Sequence, residues 1–232
     1  MKSKICFVLL FLFIVNSSNA QQIKFDKYNL ELVNTNYELL TIDGSRVLKL
    51  ERDLIASPFD EKNIESSVDG PTFAKIIDME MTNGVIEVKV LSKIMEKSPF
   101  AAARGFIGIG FRVDKQNHFD CIYLRPDNGR SEDQLRRNHT IQYFSYPGYN
   151  FNRLRREANG VYETYADIGL NEWINVRIEI QDKKVRLFLN NQKTPSFIVN
   201  EMFGETKSGN ISLWVEVGTV GYFKDLKITK WD

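Results

Sequence analysis

The side chains best equipped for chemistry lie in a stretch that contains no lysine. Between Lys115 and Lys183 run 67 residues without one, where an even spread of the chain's 18 lysines would place about five. Eight arginines fall there instead, seven of them between Arg125 and Arg156. The segment reads Leu124-Arg125-Pro126-Asp127-Asn128-Gly129-Arg130, then Arg136-Arg137-Asn138-His139, then Tyr143-Phe144-Ser145-Tyr146-Pro147-Gly148-Tyr149, then Arg153-Leu154-Arg155-Arg156. Arginine's flat fork grips carboxylate, sulfate or phosphate through two parallel hydrogen bonds and stacks on aromatic rings, which a lysine ammonium does not. A stretch that uses only arginine, interleaved with tyrosine, asparagine and glutamine, suits recognition of a ligand with fixed polar geometry.

Three chemistries are open to these residues. In the first, Arg125, Asn128, Arg130, Gln134, Arg137 and Asn138 hold hydroxyl, carboxylate or sulfate groups of a sugar, and Tyr143 and Tyr146, with Tyr149 and Phe151, present ring faces to its C–H surfaces. In the second, His139 or Tyr143 is a general base beside Arg136 or Arg137, which neutralises a uronate carboxylate. A strand through His139 would place His139, Ile141, Tyr143 and Ser145 on one side. In the third, two carboxylates flank a glycosidic bond at about 5–5.5 Å, as retaining glycosidases require. Asp78 with Glu80, or Glu80 with Glu87 across a hairpin, are the candidates. Against each stands a plain structural role. Pairs such as Arg125–Asp127, Arg130–Asp133 and Arg136–Glu132 would lock a long loop, and His139 would bond a neighbouring strand.

Other classes are excluded by what the sequence lacks. Two histidines, His118 and His139, and one cysteine beyond residue 20 do not make a zinc ligand set. There is no Gly-x-Ser-x-Gly, P-loop or dinucleotide fingerprint. Cys121 lies in the strand-like run Phe119-Asp120-Cys121-Ile122-Tyr123 and reads as a small buried apolar residue. From residue 21 onward 29 basic residues face 30 acidic ones, so no global basic field attracts nucleic acid or anionic membranes. Residues 125–156 set seven arginines against Asp127, Glu132 and Asp133. Any attraction for anions is local, and the expected partner is a polysaccharide or oligosaccharide, with a role as a structural subunit of a surface complex as a further alternative.

These side chains need a scaffold. Lys2 and Lys4, the apolar run Ile5–Val15 and the small-x-small site Ser18-Asn19-Ala20 read as a secretory signal peptide over residues 1–20. The run is shorter than the roughly 20 residues a spanning helix needs. The expectation is export, to the periplasm, the cell surface or the medium, with no transmembrane segment. Residues 21–232 suit one domain. Strand follows strand: 37–42 and 47–50 join through Asp43-Gly44, and 73–81 and 85–94 form a second hairpin through Asn83-Gly84. Strands are expected again at 105–113, which carries three glycines, and at 119–124, 140–145, 162–168, 173–181, 185–190, 197–199, 211–217 and 222–230. In 174–180 the even positions are apolar and the odd ones polar, the mark of a half-buried strand. Residues 53–72 and 125–139 read as long loops. The fold class is all-β, a two-sheet antiparallel sandwich.

The C-terminal half carries a family resemblance. Gly169-Leu170-Asn171-Glu172-Trp173-Ile174-Asn175-Val176-Arg177-Ile178-Glu179-Ile180, followed by Lys184-Val185-Arg186-Leu187-Phe188-Leu189-Asn190-Asn191, resembles the Glu-Trp…Val-x-Leu-Tyr-Val-Asn-Gly hairpin of laminin-G-like domains. Gly209–Trp214 and Gly221–Ile228 resemble the last two strands. This is the concanavalin A-like lectin/glucanase superfamily, and the chain is similar to domains exported by Bacteroidota that are family 16-like or 3-keto-disaccharide hydrolase-like. The resemblance implies a jelly roll of two curved sheets and a role in polysaccharide utilisation, either binding a glycan or degrading it as a lyase or glycoside hydrolase. It implies no cofactor beyond a structural calcium at the sandwich rim, for which Asp78, Asp114, Asp120 and Asp225 are candidates. The Glu-x-Asp-x-Glu strand of family 16 enzymes is broken here, because Ile76 stands where the first glutamate belongs.

Overall fold

The computed structural model describes residues 21–231; the signal peptide expected over 1–20 lies outside the described residues. Two antiparallel sheets pack face to face. One has eight strands in the spatial order β1 (Gln22–Phe25), β2 (Tyr28–Val33), β5 (Phe73–Met81), β14 (Gly209–Val215), β7 (Ile107–Val113), β8 (Phe119–Leu124), β9 (Ile141–Tyr146) and β10 (Glu163–Thr164). The other has seven: β13 (Phe197–Val199), β12 (Lys184–Leu189), β11 (Ile174–Gln181), β6 (Gly84–Ile94), β15 (Thr219–Lys230), β4 (Ser45–Arg52) and β3 (Thr35–Ile42). The sandwich core forms where Ile107, Ile109, Ile122 and Leu124 of the first sheet meet Val90, Val176, Ile178 and Leu187 of the second. The alternation in β11 is as the sequence prescribes: Ile174, Val176, Ile178 and Ile180 are buried.

Because side chains alternate along a strand, the residues between those core positions point away from the second sheet. Cα partners across the eight-stranded sheet set up a row of Phe73, Trp214, Gly108, Tyr123, Gln142 and Glu163 on this outer face. A second row holds Lys75, Ser212, Gly110, Cys121 and Phe144. Phe73, Trp214, Tyr123 and Phe144 are nonetheless buried, because further chain covers the outer face. The cover comes from the segment between β4 and β5, with its 3-10 turn Glu61–Asn63 and helix α1 (Ile64–Ser67), and from the β6–β7 connection. Helices α2 (Pro126–Gly129) and α3 (Gln134–Asn138) precede β9, and α4 (Phe151–Glu157) follows it.

Several expectations are corrected. The segments 73–81 and 85–94 are not a hairpin: β5 joins the eight-stranded sheet and β6 the seven-stranded one. Asn83-Gly84 reverses the chain, but reversal alone does not choose the partner strand. Glu80 and Glu87 are therefore not cross-strand neighbours; Glu87 pairs with Lys227 at 3.2 Å, and Asp78 accepts the Asn29 backbone N–H at 3.1 Å. The strand expected over 162–168 shrinks to β10. The arginine-rich loop holds short helices, and β1 and β2 add an N-terminal ribbon that the sequence reading missed although Tyr28, Leu30 and Leu32 alternate. Among the described residues no helix is long and apolar enough to cross a membrane.

Candidate functional site

A cavity of about 250 Å³ opens on the outer face of the eight-stranded sheet. Its floor is formed by Tyr123 and Trp214 of the first row of that face, with Phe106. Trp214 and Tyr123 pack at 5.1 Å between ring centroids, Phe144 closes on both at 5.4 and 5.7 Å, and Phe106 lies 6.2 Å from Tyr123. Gly108 sits between Trp214 and Tyr123 in the register, and a Cβ there would stand 2.5 Å from the Tyr123 Cβ. The glycines of β7 thus make room for large rings on neighbouring strands. The roof is Ile64, Val68 and Phe100 on one side and Phe151 on the other.

The polar wall comes from the ends of β8 and β14 and from the short helices. Arg125 is buried between the rings of Tyr123 and Phe151, its guanidinium carbon 4.9 and 5.4 Å from their centroids. It donates to the Tyr123 hydroxyl and, at 3.3 Å, to the His139 carbonyl. Asn128 Nδ2 donates to the same carbonyl at 3.1 Å, so the turn that carries His139 is tied to α2. His139 caps α3 instead of lying in a strand. Its Nδ1 lies 2.6 Å from Glu163 Oε2, a close contact without hydrogen-bond alignment, and Arg155 donates to the same oxygen at 2.9 Å. Burial, then Arg155, holds the His139 imidazolium below the ordinary histidine range.

Two buried carboxyl groups complete the wall. Glu216 lies at the end of β14, its Oε1 2.5 Å from Arg52 Nη1, and it accepts the backbone N–H groups of Asp69 and Val217 at 2.8 and 2.7 Å. Burial pushes its carboxyl up, against the pull of Arg52. Asp69 Oδ2 accepts the Phe151 N–H at 2.8 Å, which ties the β4–β5 segment to α4. Burial pushes the Asp69 carboxyl up to about 7; the Phe151 N–H opposes the shift, Glu216 adds to it, and Arg125 and Arg155 counter it. Asp69, Glu216, Tyr123, Trp214 and Arg155 were not singled out from the sequence. The Asp69-Gly70-Pro71 run looks like any turn, and only the folded chain brings it to Glu216.

The sequence-predicted residues separate into groups. Arg125, Asn128 and His139 line the cavity, together with Arg104, Arg136 and Arg155. Arg130 does not: it is spent on Asp167 at 2.9 Å and on both oxygens of Glu172 at 3.0 Å. Gln134 bonds Asn138 at 2.8 Å, one turn along the exposed face of α3. Arg137 lies over Tyr165 at 4.7 Å and donates to its hydroxyl at 2.7 Å. Arg136 pairs with Asp127 at 2.7 Å, not with Glu132. Tyr143 is fully buried, and its hydroxyl donates to Asp120 at 2.5 Å and accepts the Phe203 N–H at 2.7 Å. It points to the opposite face of β9 from the cavity row, so His139 and Tyr143 do not converge. Tyr146 lies at the far end of β9, in a second cavity of about 280 Å³ with Asp114, His118 and Asp120.

The calcium candidates do not assemble. Asp114 accepts the backbone N–H groups of Gln116 and His118, Asp120 accepts from Tyr143 and Gly204, Asp225 pairs with Lys89, and Asp78 lies on Asn29. Among the described residues no group of three or more His, Cys, Asp or Glu side chains is placed to hold a metal ion. Cys121 is buried beside Phe144, and burial raises its thiol well above the usual range.

No protein-family model matches the chain, and no curated protein does. Solved structures do. The carbohydrate binding module CBM66 from Bacillus subtilis superposes with a TM-score of 0.52 at 11% identity, covering 86% of this chain and 97% of that one. The Bacillus licheniformis beta-glucanase gives 0.45 at 12%, covering 91% and 92%. Domain 4 of a GH43 extracellular arabinanase from Geobacillus stearothermophilus, in complex with arabinotriose, gives 0.43 at 12%, covering 84% and 75%. At such identities the likeness is one of fold, and the weight falls on the first. The chain has a two-sheet antiparallel jelly-roll fold, which it shares with that carbohydrate binding module.

Proposed function

We propose that the protein binds a carbohydrate, taking one ring of an anionic or hydroxyl-rich glycan into the outer-face cavity. The observation that carries this reading is the cavity's composition: an aromatic floor of Tyr123, Trp214 and Phe106 under a wall of Arg125, Asn128, His139 and Asp69. Aromatic faces suit the C–H surface of a sugar, and convergent polar groups fix its orientation. At about 250 Å³ the cavity is smaller than the ~300 Å³ at which ligand pockets begin, and its roof suits the end of a chain better than a strand passing through. Arg125 favours a carboxylate or sulfate on that ring, because its guanidinium is held flat by two ring faces and desolvated. The partner in this reading is a polysaccharide or oligosaccharide met outside the cytoplasm, a location that the signal-like sequence of residues 1–20 supports.

Trp214 on the floor supplies the test. Tryptophan emission of the full chain is titrated with uronic acids, sulfated sugars and neutral oligosaccharides, with Trp214→Phe as control because Trp173 and Trp231 also emit. A saturable change that vanishes in the control supports the reading. No change and no heat of binding across the panel would sink it.

A further inference from the structure

We infer, resting on the carbohydrate-binding reading, that the same cavity holds an acid–base pair, His139 and Asp69, arranged around Arg125 to cleave a uronic-acid glycan by elimination. The inference begins with which groups are spent and which are free. Glu216 is pinned by Arg52 and two backbone N–H groups. Glu163 gives Oε2 to Arg155 and His139, and its Oε1 is buried away from the cavity lining. Neither is available as a nucleophile or as a base for water, so the paired carboxylates of a glycosidase are not present on this wall. Asp69 keeps one carboxyl oxygen beyond the one that holds Phe151, and His139 keeps Nε2, because Nδ1 faces Glu163.

The two free groups have opposite leanings. His139 is kept neutral by burial and by Arg155, so it can accept a proton. Asp69 is buried beside Glu216 and holds its proton up to about neutral pH, so it can give one. A pair of groups in one cavity whose surroundings separate them into base and acid is the arrangement that proton-transfer catalysis needs. Both line the cavity, and Arg125 links them: it donates to the His139 carbonyl at 3.3 Å and packs over the ring of Phe151, whose backbone N–H Asp69 accepts at 2.8 Å. Arg125, stacked between Tyr123 and Phe151, lies where a sugar carboxylate would be gripped.

The step balances without a further reactant. His139 Nε2 takes the proton from C5, the ring carbon bearing the carboxylate. The C–H electron pair becomes the C4=C5 double bond as the bond from C4 to the glycosidic oxygen breaks. Asp69 gives its proton to the departing oxygen. Arg125 stabilises the charge that builds on the carboxylate while C5 is deprotonated. The products are an unsaturated uronate end and a new hydroxyl end; the His139 proton then passes to solvent and Asp69 is reprotonated.

The test incubates the full chain with three 4-linked polyuronates, polygalacturonate, polymannuronate and polyglucuronate. It follows the ultraviolet band of the conjugated product, with binding measured in parallel by calorimetry. At least one polymer should give a rising band. His139→Gln and Asp69→Asn should each lower that rate by about 10²–10⁴-fold while the polymer still binds, and Arg130→Gln, outside the cavity, should leave it unchanged. Binding without cleavage would overturn the elimination and leave the binding reading standing. New reducing ends without the band would do the same and point to hydrolysis. Binding by neutral glycans alone would overturn both the elimination and the anionic preference.

Discussion

Trp214 and Tyr123 meet across Gly108, the Cα partner of both, with ring centroids 5.1 Å apart. The floor of the cavity exists because one strand contributes no side chain between two large ones. A Cβ on Gly108 would stand 2.5 Å from the Tyr123 Cβ and 2.6 Å from the Ile122 carbonyl oxygen. Gly108→Ala should therefore cost about 1–3 kcal/mol, the usual penalty for overpacking, and should shift Trp214 emission. Urea unfolding against wild type measures the cost.

The arginines divide into those that line the cavity and those that brace its surroundings. Arg125→Lys keeps the charge but loses the flat fork and the stacking, and should weaken an anionic ligand by at least about tenfold, or ~1.4 kcal/mol. Arg130→Lys, at the Asp167 and Glu172 pairs, should leave affinity unchanged. Calorimetry on both variants with the same ligand decides it.

Asp69 sets a pH dependence. Its carboxyl is raised from 3.8 to about 7 when folded, so folding favours the protonated form. That contribution is full below the unfolded value, near pH 4, and is lost as pH rises through about 7. Full ionisation removes roughly 4 kcal/mol. Asp69→Asn abolishes this titration, so its stability relative to wild type should climb between pH 4 and 7 and then level off. His139 runs the other way: its folded pKa is lowered, so its contribution is present above the ordinary histidine range and is lost as pH falls. Denaturation midpoints across this range test both signs.

Arg52 holds the roof. It pairs with Glu216, both side chains being 3% exposed. It also donates to the Ser57, Ser67 and Pro58 carbonyls and to the Ser57 hydroxyl. Arg52→Ala leaves Glu216 buried without its partner, a loss of about 3–5 kcal/mol, and frees the 53–72 segment. Limited proteolysis should cut first between residues 53 and 72 in the variant and not in wild type.

The sandwich was legible in the sequence because its signals are local. Alternation in β11 and the Asp43-Gly44 turn each declare a strand or a reversal within ten residues. Sheet membership is not local, and Asn83-Gly84 shows the cost: the turn was found and the wrong pairing inferred. The helices of the arginine-rich segment run five to seven residues at α3 and α4, too short for a 3.6-residue period to show. At the site, Arg125, Asn128 and His139 were found through their residue types. Asp69, Glu216 and Trp214 were not, because they lie 56 and more residues from Arg125 in the chain and meet it only when β8 and β14 share a sheet with β7 between them. Tyr143 had the right chemistry on the wrong face, since His139 ends a helix and does not set the strand's alternation.

The central claim is that one sugar ring occupies the cavity beside Arg125, over a floor backed by the buried Trp214. The most direct measurement is calorimetry of the full chain with uronate oligosaccharides, on wild type, Arg125→Lys and Arg130→Lys side by side. The account predicts saturable binding to one site, weakened at least about tenfold by the change at Arg125 and untouched by the change at Arg130. Binding that ignores Arg125, or that follows Arg130 instead, would contradict it.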